Sequence, residues 1–146
     1  IVKSIHVKRT LVEEVKSSCY SCICLKKVLR KNIRKGQVLL GEMTPKNAVR
    51  EFDADISILK SHSTTIKKGY QPVLHCSTVR QAAKIIEINK KISSKKNETN
   101  DSILRTGDKA NVRFRFSYRK EFINVGNKIL LAEGKIKILG VITKIY

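Results

Sequence analysis

The sequence is short of aromatic and acidic side chains. Tryptophan is absent, aromatic residues make up 5% of the 146 positions, and 12 Asp and Glu stand against 31 Lys and Arg. So few aromatic rings argue against a nucleic-acid interface that is built on base stacking. The formal net charge of +19 favours anionic partners that are held through charge, with nucleic acid first and an anionic membrane surface second.

Long apolar runs and nucleotide-binding motifs are also missing. No run approaches the ~20 apolar residues of a membrane-spanning helix, so we expect no membrane span. We also expect no membrane partner and a cytoplasmic location. A P-loop needs Lys and then Ser or Thr after its glycine-rich turn, but Glu42 and Met43 follow Gly41. Two stretches similar to the guanine-recognition motif, 89–92 and 127–130, lack its aspartate. We therefore expect no catalytic residue and no bound cofactor in this chain.

The four cysteines raise the possibility of a zinc site. Cys19 and Cys22 have the spacing of half a structural zinc site, and His75 precedes Cys76. The apolar stretch around Cys22 and Cys24 is typical of a strand, in which these two side chains share a face that Cys19 does not. We therefore expect reduced, buried cysteines that pack as small apolar side chains, and no metal site.

The order of apolar and polar residues predicts an all-β protein. In residues 1–42 it indicates strands at 4–9, 12–15 and 20–29, a basic run, and a further turn and strand within 36–41; this block is too short to bury a barrel core alone. Proline and asparagine mark 43–47 as a linker. In 48–146 apolar residues recur at every second position, as in Phe52, Ala54, Ile56 and Ile58, and again in Val112, Phe114 and Phe116. This period predicts an antiparallel β-barrel, preceded by part of a second barrel.

Three further features refine this prediction. The polar stretch at about 91–103 is expected to be a flexible insertion, because it has too few apolar side chains to pack. Gly69 and Gly107 are expected in tight turns with positive φ. Tyr70 is expected in the core with its hydroxyl at the rim.

Six short motifs follow one another in a fixed order. They are Thr64-Thr65-Ile66, Gly69-Tyr70-Gln71-Pro72, Arg105-Thr106-Gly107-Asp108, Val112–Phe116, Glu133-Gly134-Lys135 and Gly140-Val141-Ile142. This order resembles the C-terminal β-barrel, domain III, of elongation factor Tu-like translational GTPases. The motifs look most similar to the eukaryotic GTP-binding protein one/two branch and to elongation factor one alpha. The resemblance to domain III covers 48–146, and 1–42 resemble the second half of domain II.

The resemblance implies that this chain is a binding domain of a longer parent protein that hydrolyses GTP. The G domain of the parent would hold GTP and magnesium, and this chain would dock tRNA or the ribosome and pack against the G domain and domain II. Carried over by position, the candidate RNA-binding residues are Arg80, Gln81, Arg119, Lys120, Glu133, Gly134 and Lys135. The alternative is a release-factor, ribosome-rescue or mRNA-surveillance GTPase, in which this barrel binds a protein shaped like tRNA.

Overall fold

The computed structural model describes residues 1–46, 48–60, 65–91 and 103–146. These residues form β-strands and one short 3-10 turn, Arg30–Asn32, which confirms the all-β prediction. The chain divides into two compact units, Ile1–Lys35 and Gly36–Tyr146. None of the described segments contains a helix that is long and apolar enough to cross a membrane.

The first unit, Ile1–Lys35, is a three-stranded antiparallel sheet. Its strands are β1 (Val2–Val7), β2 (Thr10–Val12) and β3 (Cys22–Leu25), in the order β2-β1-β3. Lys8 and Arg9 join β1 to β2 in a two-residue turn with φ of 48° and 69°, which suits the right-handed twist of a tight hairpin. The basic run of this unit begins directly after β3, at Lys26.

Several predictions for the first 42 residues are wrong. The second strand ends at Val12, the third is limited to Cys22–Leu25 with Tyr20 99% exposed, and no strand forms over 36–41. Cys19, Cys22 and Cys24 are exposed and only Cys76 is buried, contrary to expectation. The cysteines of this unit are exposed because a sheet of three short strands has too few side chains to cover both of its faces.

The second unit, Gly36–Tyr146, contains a closed barrel of six strands. The barrel order is β10-β5-β13-β12-β7-β8, and β8 pairs with β10 to close it. Two small sheets, β4 with β11 and β6 with β9, accompany the barrel. The strands are β4 (Ala48–Val49), β5 (Glu51–Ile58), β6 (Thr65–Lys67), β7 (Val73–Cys76), β8 (Val79–Lys91), β9 (Ile103–Arg105), β10 (Lys109–Phe116), β11 (Glu121–Phe122), β12 (Lys128–Glu133) and β13 (Ile136–Ile145).

The barrel core follows the alternation that the sequence predicts. Phe52, Ala54, Ile56 and Ile58 on β5 are at most 2% exposed, and Val112, Phe114 and Phe116 on β10 are fully buried. The rings of Phe52 and Phe114 stack with centroids 5.5 Å apart. This packing fixes the register, because a slip of one residue would turn every core side chain of a strand outward.

The turn residues also match their predicted roles. Gly69 and Gly107 have φ of 94° and 88°, and Asp108 Oδ2 accepts a hydrogen bond from the Arg105 backbone N–H at 2.8 Å. Tyr70 packs against the core as expected, but its hydroxyl is buried and does not lie at the rim. The predicted linker, 43–47, includes Asn47, which lies outside the described residues. Most of the predicted flexible insertion, 92–102, also lies outside them.

Candidate nucleic-acid interface

The predicted RNA-binding residues lie along one side of the barrel. This side consists of β8, β7 and β12, which pair so that Gln81 is opposite Leu74 and Leu74 is opposite Leu131. The segment 117–120, which follows β10, borders β8. The turn Gly134–Lys135, which joins β12 to β13, stands at the other border. We call the outer surface between these two borders the basic flank.

A row of small side chains crosses the basic flank. Ala82 pairs with Val73 and Val73 pairs with Ala132, so that the three side chains point outward at one level. Strands lie about 4.8 Å apart, which places the two borders about 14 Å from each other across the sheet. The middle of the basic flank is therefore low, and an extended backbone could approach the sheet between the borders.

Basic side chains surround this row. Arg80 and Lys84 are exposed on β8, and Arg119, Lys120, Lys135 and Lys137 are exposed at the two borders. The described residues of these strands also expose two acidic side chains, Glu133 at one border and Glu87 on β8, and Glu87 lies 3.7 Å from Arg113. Lys84 and Lys137 are not among the residues predicted from the sequence. Strand alternation could have indicated Lys84, which lies two outward positions from Arg80, and Lys137 pairs with Ala132.

The segment that carries Arg119 is anchored to the barrel at its base. The Ser117 backbone N–H donates to Ala82 O at 3.0 Å. Arg50 donates from Nε to Phe116 O and from a terminal nitrogen to Ser117 O, both at 3.3 Å. Arg119 therefore projects from a segment whose first residues are fixed to β8.

Gln81 occupies a different place from the other predicted residues. It is only 7% exposed and faces inward. Its amide is hydrogen-bonded to the backbone of Tyr118 and Arg119 and to the carboxylate of Glu121. The structure thus brings Gln81 beside Arg119, but beneath the outer surface.

The turn at the other border is open. Gly134 has φ of 55°, and a Cβ added there would meet no atom within 4 Å. Beside it, the Tyr70 hydroxyl is buried near the Glu133 carboxylate. Burial and the neighbouring Glu133 carboxylate together raise the pKa of Tyr70 well above its usual range. Tyr70 therefore stays neutral near Glu133, and the turn leaves space for a ligand backbone at Gly134.

The acidic residues of the barrel lie mainly on another face. On the outer side of β5 and β10, Arg113 Nε donates to Asp53 Oδ1 at 2.9 Å, and Arg115 Nε donates to Glu51 Oε1 at 2.8 Å. Burial would raise the pKa of Asp53, but Arg113 and the Tyr146 hydroxyl lower it below its ordinary value. Charges on this face are balanced in pairs, whereas the exposed charges of the basic flank are mostly positive.

A third surface is apolar. Leu139 and Val141 on β13 are 47% and 41% exposed, and Leu139 pairs with Leu130, which is partly exposed. We call these three residues the apolar strip. Exposed apolar side chains that adjoin one another are typical of a protein-contact surface.

The cysteines do not converge on a metal site. Among the described residues no group of three or more His, Cys, Asp and Glu is arranged to hold a metal ion. Burial raises the pKa of the Cys76 thiol, which keeps it protonated in the core.

Comparisons with known proteins agree on one family. Residues 45–145 match the family model described as elongation factor Tu C-terminal domain. The chain is 39% identical to GTP-binding protein 1 of Xenopus laevis and 34% identical to GTP-binding protein 2 of Homo sapiens, each over 99% of its own length. It is 33% identical over 77% of its length to elongation factor 1-alpha of Archaeoglobus fulgidus. It spans 20%, 22% and 27% of these three relatives.

Proposed function

The chain belongs to the elongation factor Tu C-terminal domain family, and on this premise we propose that it is the RNA-docking module of a larger GTP-dependent translation factor. The observation that carries the proposal is the basic flank, where exposed Lys and Arg border a row of small side chains. Such a surface suits the backbone of tRNA or ribosomal RNA, which is a regular line of negative charge.

Each border of the basic flank has its own task in this proposal. The planar guanidinium of Arg119 can donate two parallel hydrogen bonds to one phosphate. At the other border, Gly134 has no Cβ, so a sugar–phosphate backbone can come close while Lys135 supplies charge. Lys120 and Arg80 add positive charge beside Arg119. With 5% aromatic residues in the chain, contact with phosphates explains binding better than base stacking does.

The parent would contribute what this chain does not supply. GTP and magnesium would bind in a G domain elsewhere in the parent, and this chain would hold the RNA while hydrolysis occurs there. Its other partners would be that G domain and domain II. The apolar strip is the surface that suits such packing, since inter-domain contacts bury apolar area. We infer a cytoplasmic location for the parent.

The apolar strip also supports the second candidate function. In a release-factor, ribosome-rescue or mRNA-surveillance GTPase, the barrel would bind a protein that is shaped like tRNA. Such a complex would use Leu139 and Val141 as anchors and would need few phosphate contacts. The two functions differ in their response to ribonuclease. A partner held through RNA is lost from a pull-down after ribonuclease treatment, and a protein partner is retained.

A matched pair of double variants tests the proposed docking surface. Arg119→Glu with Lys135→Glu reverses charge at both borders of the basic flank. Lys109→Glu with Lys144→Glu makes the same change in net charge, at the start of β10 and near the end of β13, away from both borders. Binding to a fluorescent RNA hairpin with a stem of about one helical turn is measured by anisotropy.

We expect the first double variant to weaken binding by at least about tenfold, because it removes charge-assisted hydrogen bonds. The second should weaken it by much less, because it changes only the overall field. Equal losses would refute the docking surface and would leave a basic protein that binds RNA through net charge alone. Thermal melting of both variants verifies that each still folds.

A further inference from the structure

All the hydrogen bonds that the side-chain amide of Gln81 can form are made with the segment that carries Arg119. Its Oε1 accepts from the backbone N–H groups of Tyr118 and Arg119, both at 2.8 Å. Its Nε2 donates to Arg119 O at 3.2 Å and to Glu121 Oε1 at 2.7 Å. A primary amide has two donor hydrogens and two acceptor lone pairs, so no capacity is left for a ligand.

The position of Gln81 on β8 also separates it from the outer surface. Val79 and Ala83, two residues before and after it, are buried in the core, so Gln81 shares their inward face. The outward positions of this stretch belong to Arg80 and Ala82. Two backbone N–H groups converge on one end of the amide, and only an oxygen can accept from both. The orientation of the amide is therefore set by chemistry.

Glu121 holds the other end of the amide in place. This carboxylate is 5% exposed, and its residue pairs with Val49 in the small sheet of β4 and β11. A charge-assisted hydrogen bond to a buried carboxylate is stronger than one between neutral groups, so it resists rotation of the amide. Gln81 thus ties both backbone polar groups of Arg119 to two separate strands, β8 and β11.

We propose that Gln81 is a positioning residue for nucleic-acid binding. It fixes the peptide groups of Tyr118 and Arg119, so that the Arg119 side chain leaves from an ordered backbone beside the basic flank before RNA arrives, and does not itself touch the RNA. This inference rests on the proposed function, which assigns the phosphate contact to Arg119. A segment that is ordered in advance loses less conformational entropy on binding, and this raises affinity.

A double-mutant cycle separates positioning from direct contact. The variants are Gln81→Ala, Arg119→Ala and the two combined, in the full chain, with the RNA hairpin as the probe. We expect each single variant to weaken binding, with a loss of about fivefold to tenfold for Arg119→Ala. The combined variant should bind no more weakly than Arg119→Ala alone, because Gln81 acts through Arg119. If the two losses multiply, Gln81 acts independently of Arg119 and the proposal is overturned.

An isosteric exchange tests the hydrogen-bond pattern itself. Gln81→Glu places an acceptor oxygen where Nε2 faces Arg119 O and the Glu121 carboxylate, so we expect weaker RNA binding at nearly unchanged side-chain volume. Adding Glu121→Gln returns a donor to that contact and should restore part of the affinity. The same recovery is not expected when Glu121→Gln is combined with Gln81→Ala. Failure of the exchange to recover any affinity would count against the assigned pattern.

Hydrogen exchange without RNA distinguishes this inference from the proposed function. Gln81→Ala should speed exchange of the Tyr118 and Arg119 amides while the amides of β12 stay protected and the melting transition stays cooperative. Unchanged exchange, with a loss of RNA binding in Arg119→Ala, overturns the positioning role and leaves the docking surface standing. Unchanged RNA binding in Arg119→Ala removes the phosphate contact, and with it both proposals, even where exchange at Tyr118 and Arg119 has become faster.

Discussion

Arg113 and Asp53 face each other across β10 and β5 and form an ion pair to which a third side chain is hydrogen-bonded. They are register partners, with Arg113 Nε 2.9 Å from Asp53 Oδ1. The Tyr146 hydroxyl, 2.7 Å from both Asp53 Oδ2 and a terminal nitrogen of Arg113, completes the group. Since Tyr146 directly follows β13, this pair ties three strands of the barrel together on its outer surface.

The stability of the barrel should depend on the charge of Asp53. Its folded-state pKa is depressed, so its contribution is complete above the ordinary value of 3.8 and disappears as pH falls through the folded-state value. We expect Asp53→Asn to lower the free energy of unfolding by about 1–2 kcal/mol at pH 7. The difference from the wild type should shrink below pH ~4.

Denaturant melts at pH 7 and pH 3 measure this difference. Asp55→Asn is the control, because an amide oxygen at 55 can still accept from Asn111 Nδ2, now 2.6 Å from Asp55 Oδ1. Its effect should stay within about 0.5 kcal/mol at both pH values. A penalty for Asp53→Asn that is the same at the two pH values would contradict the assignment.

Gly140 should tolerate no side chain. A Cβ there would lie 2.7 Å from the backbone oxygen of Asp55 and about as close to Ile56 and Ile129 as packing ever allows, at 3.0 and 3.1 Å. We expect Gly140→Ala to cost about 2–3 kcal/mol of unfolding free energy, because β13 and β5 must separate to admit the methyl group.

Gly126→Ala is the matched control for that measurement. Gly126 has φ of 86° and open space around its Cα, so its alanine variant pays for backbone strain alone, about 1 kcal/mol. Thermal or urea unfolding of the two variants gives the comparison. A larger loss at Gly126 than at Gly140 would show that strain, and not contact between strands, dominates.

RNA binding should weaken steeply with salt. Each neutralised phosphate releases counterions, so log Kd should rise by about 0.9 for each contact per tenfold increase in salt on duplex-like RNA. Titrations at several salt concentrations give this slope. In Arg119→Glu with Lys135→Glu the slope should correspond to about two fewer phosphate contacts. In Lys109→Glu with Lys144→Glu it should be unchanged. An unchanged slope in the first variant would show that Arg119 and Lys135 do not contact RNA phosphates.

Substitutions in the apolar strip should separate partner binding from stability. Leu139 and Val141 are already partly exposed, so Leu139→Ser with Val141→Ser should change unfolding free energy by less than about 1 kcal/mol. Binding to the RNA hairpin should not change. Recovery of the G domain, or of a protein partner, in a pull-down should fall.

Leu131→Ala provides the contrast on the same pair of strands. Leu131 is fully buried, and its truncation should cost about 2–5 kcal/mol. If the double serine variant proved equally destabilising, the apolar strip would have to be treated as part of the core.

Nucleotide titration should give no signal with this chain alone. The turn after Gly41 continues with Glu42 and Met43, and a carboxylate at that place repels phosphate. We expect flat calorimetric titrations with magnesium and either GTP or GDP. Micromolar binding of either nucleotide would reveal a site that the motif argument does not anticipate.

Much of the barrel could be predicted from the sequence because apolar residues recur at every second position in β5 and β10. The inward positions of β5 and β10 were correctly assigned from Phe52–Ile58 and Val112–Phe116 alone, and the positive φ of Gly69 and Gly107 from turn chemistry. The apparent strand within 36–41 could not be judged in this way. Alternation reports which side of a strand is apolar, but a strand also needs a backbone partner, and single-sequence patterns do not name one.

The candidate site was predicted less completely for a related reason. Arg119 and Lys135 are candidates from the family resemblance, but the role proposed for Gln81 depends on contacts with residues 37 to 40 positions away in the chain. Nothing in the local sequence distinguishes an inward-facing glutamine from an outward-facing one. Lys84 and Lys137 could have been found, since strand alternation and the pairing of β12 with β13 place them beside the basic flank.

The order of strands in the barrel has a consequence for how the protein is made. β5 (Glu51–Ile58) lies between β10 and β13, and β13 ends at Ile145. During synthesis, β5 therefore leaves the ribosome long before either of its neighbours exists, and one of its edges waits for a strand more than 80 residues downstream. Pairings at such long sequence separation form slowly and leave strand edges exposed meanwhile. We therefore expect a pause of translation before β13 to favour aggregation over closure of the barrel.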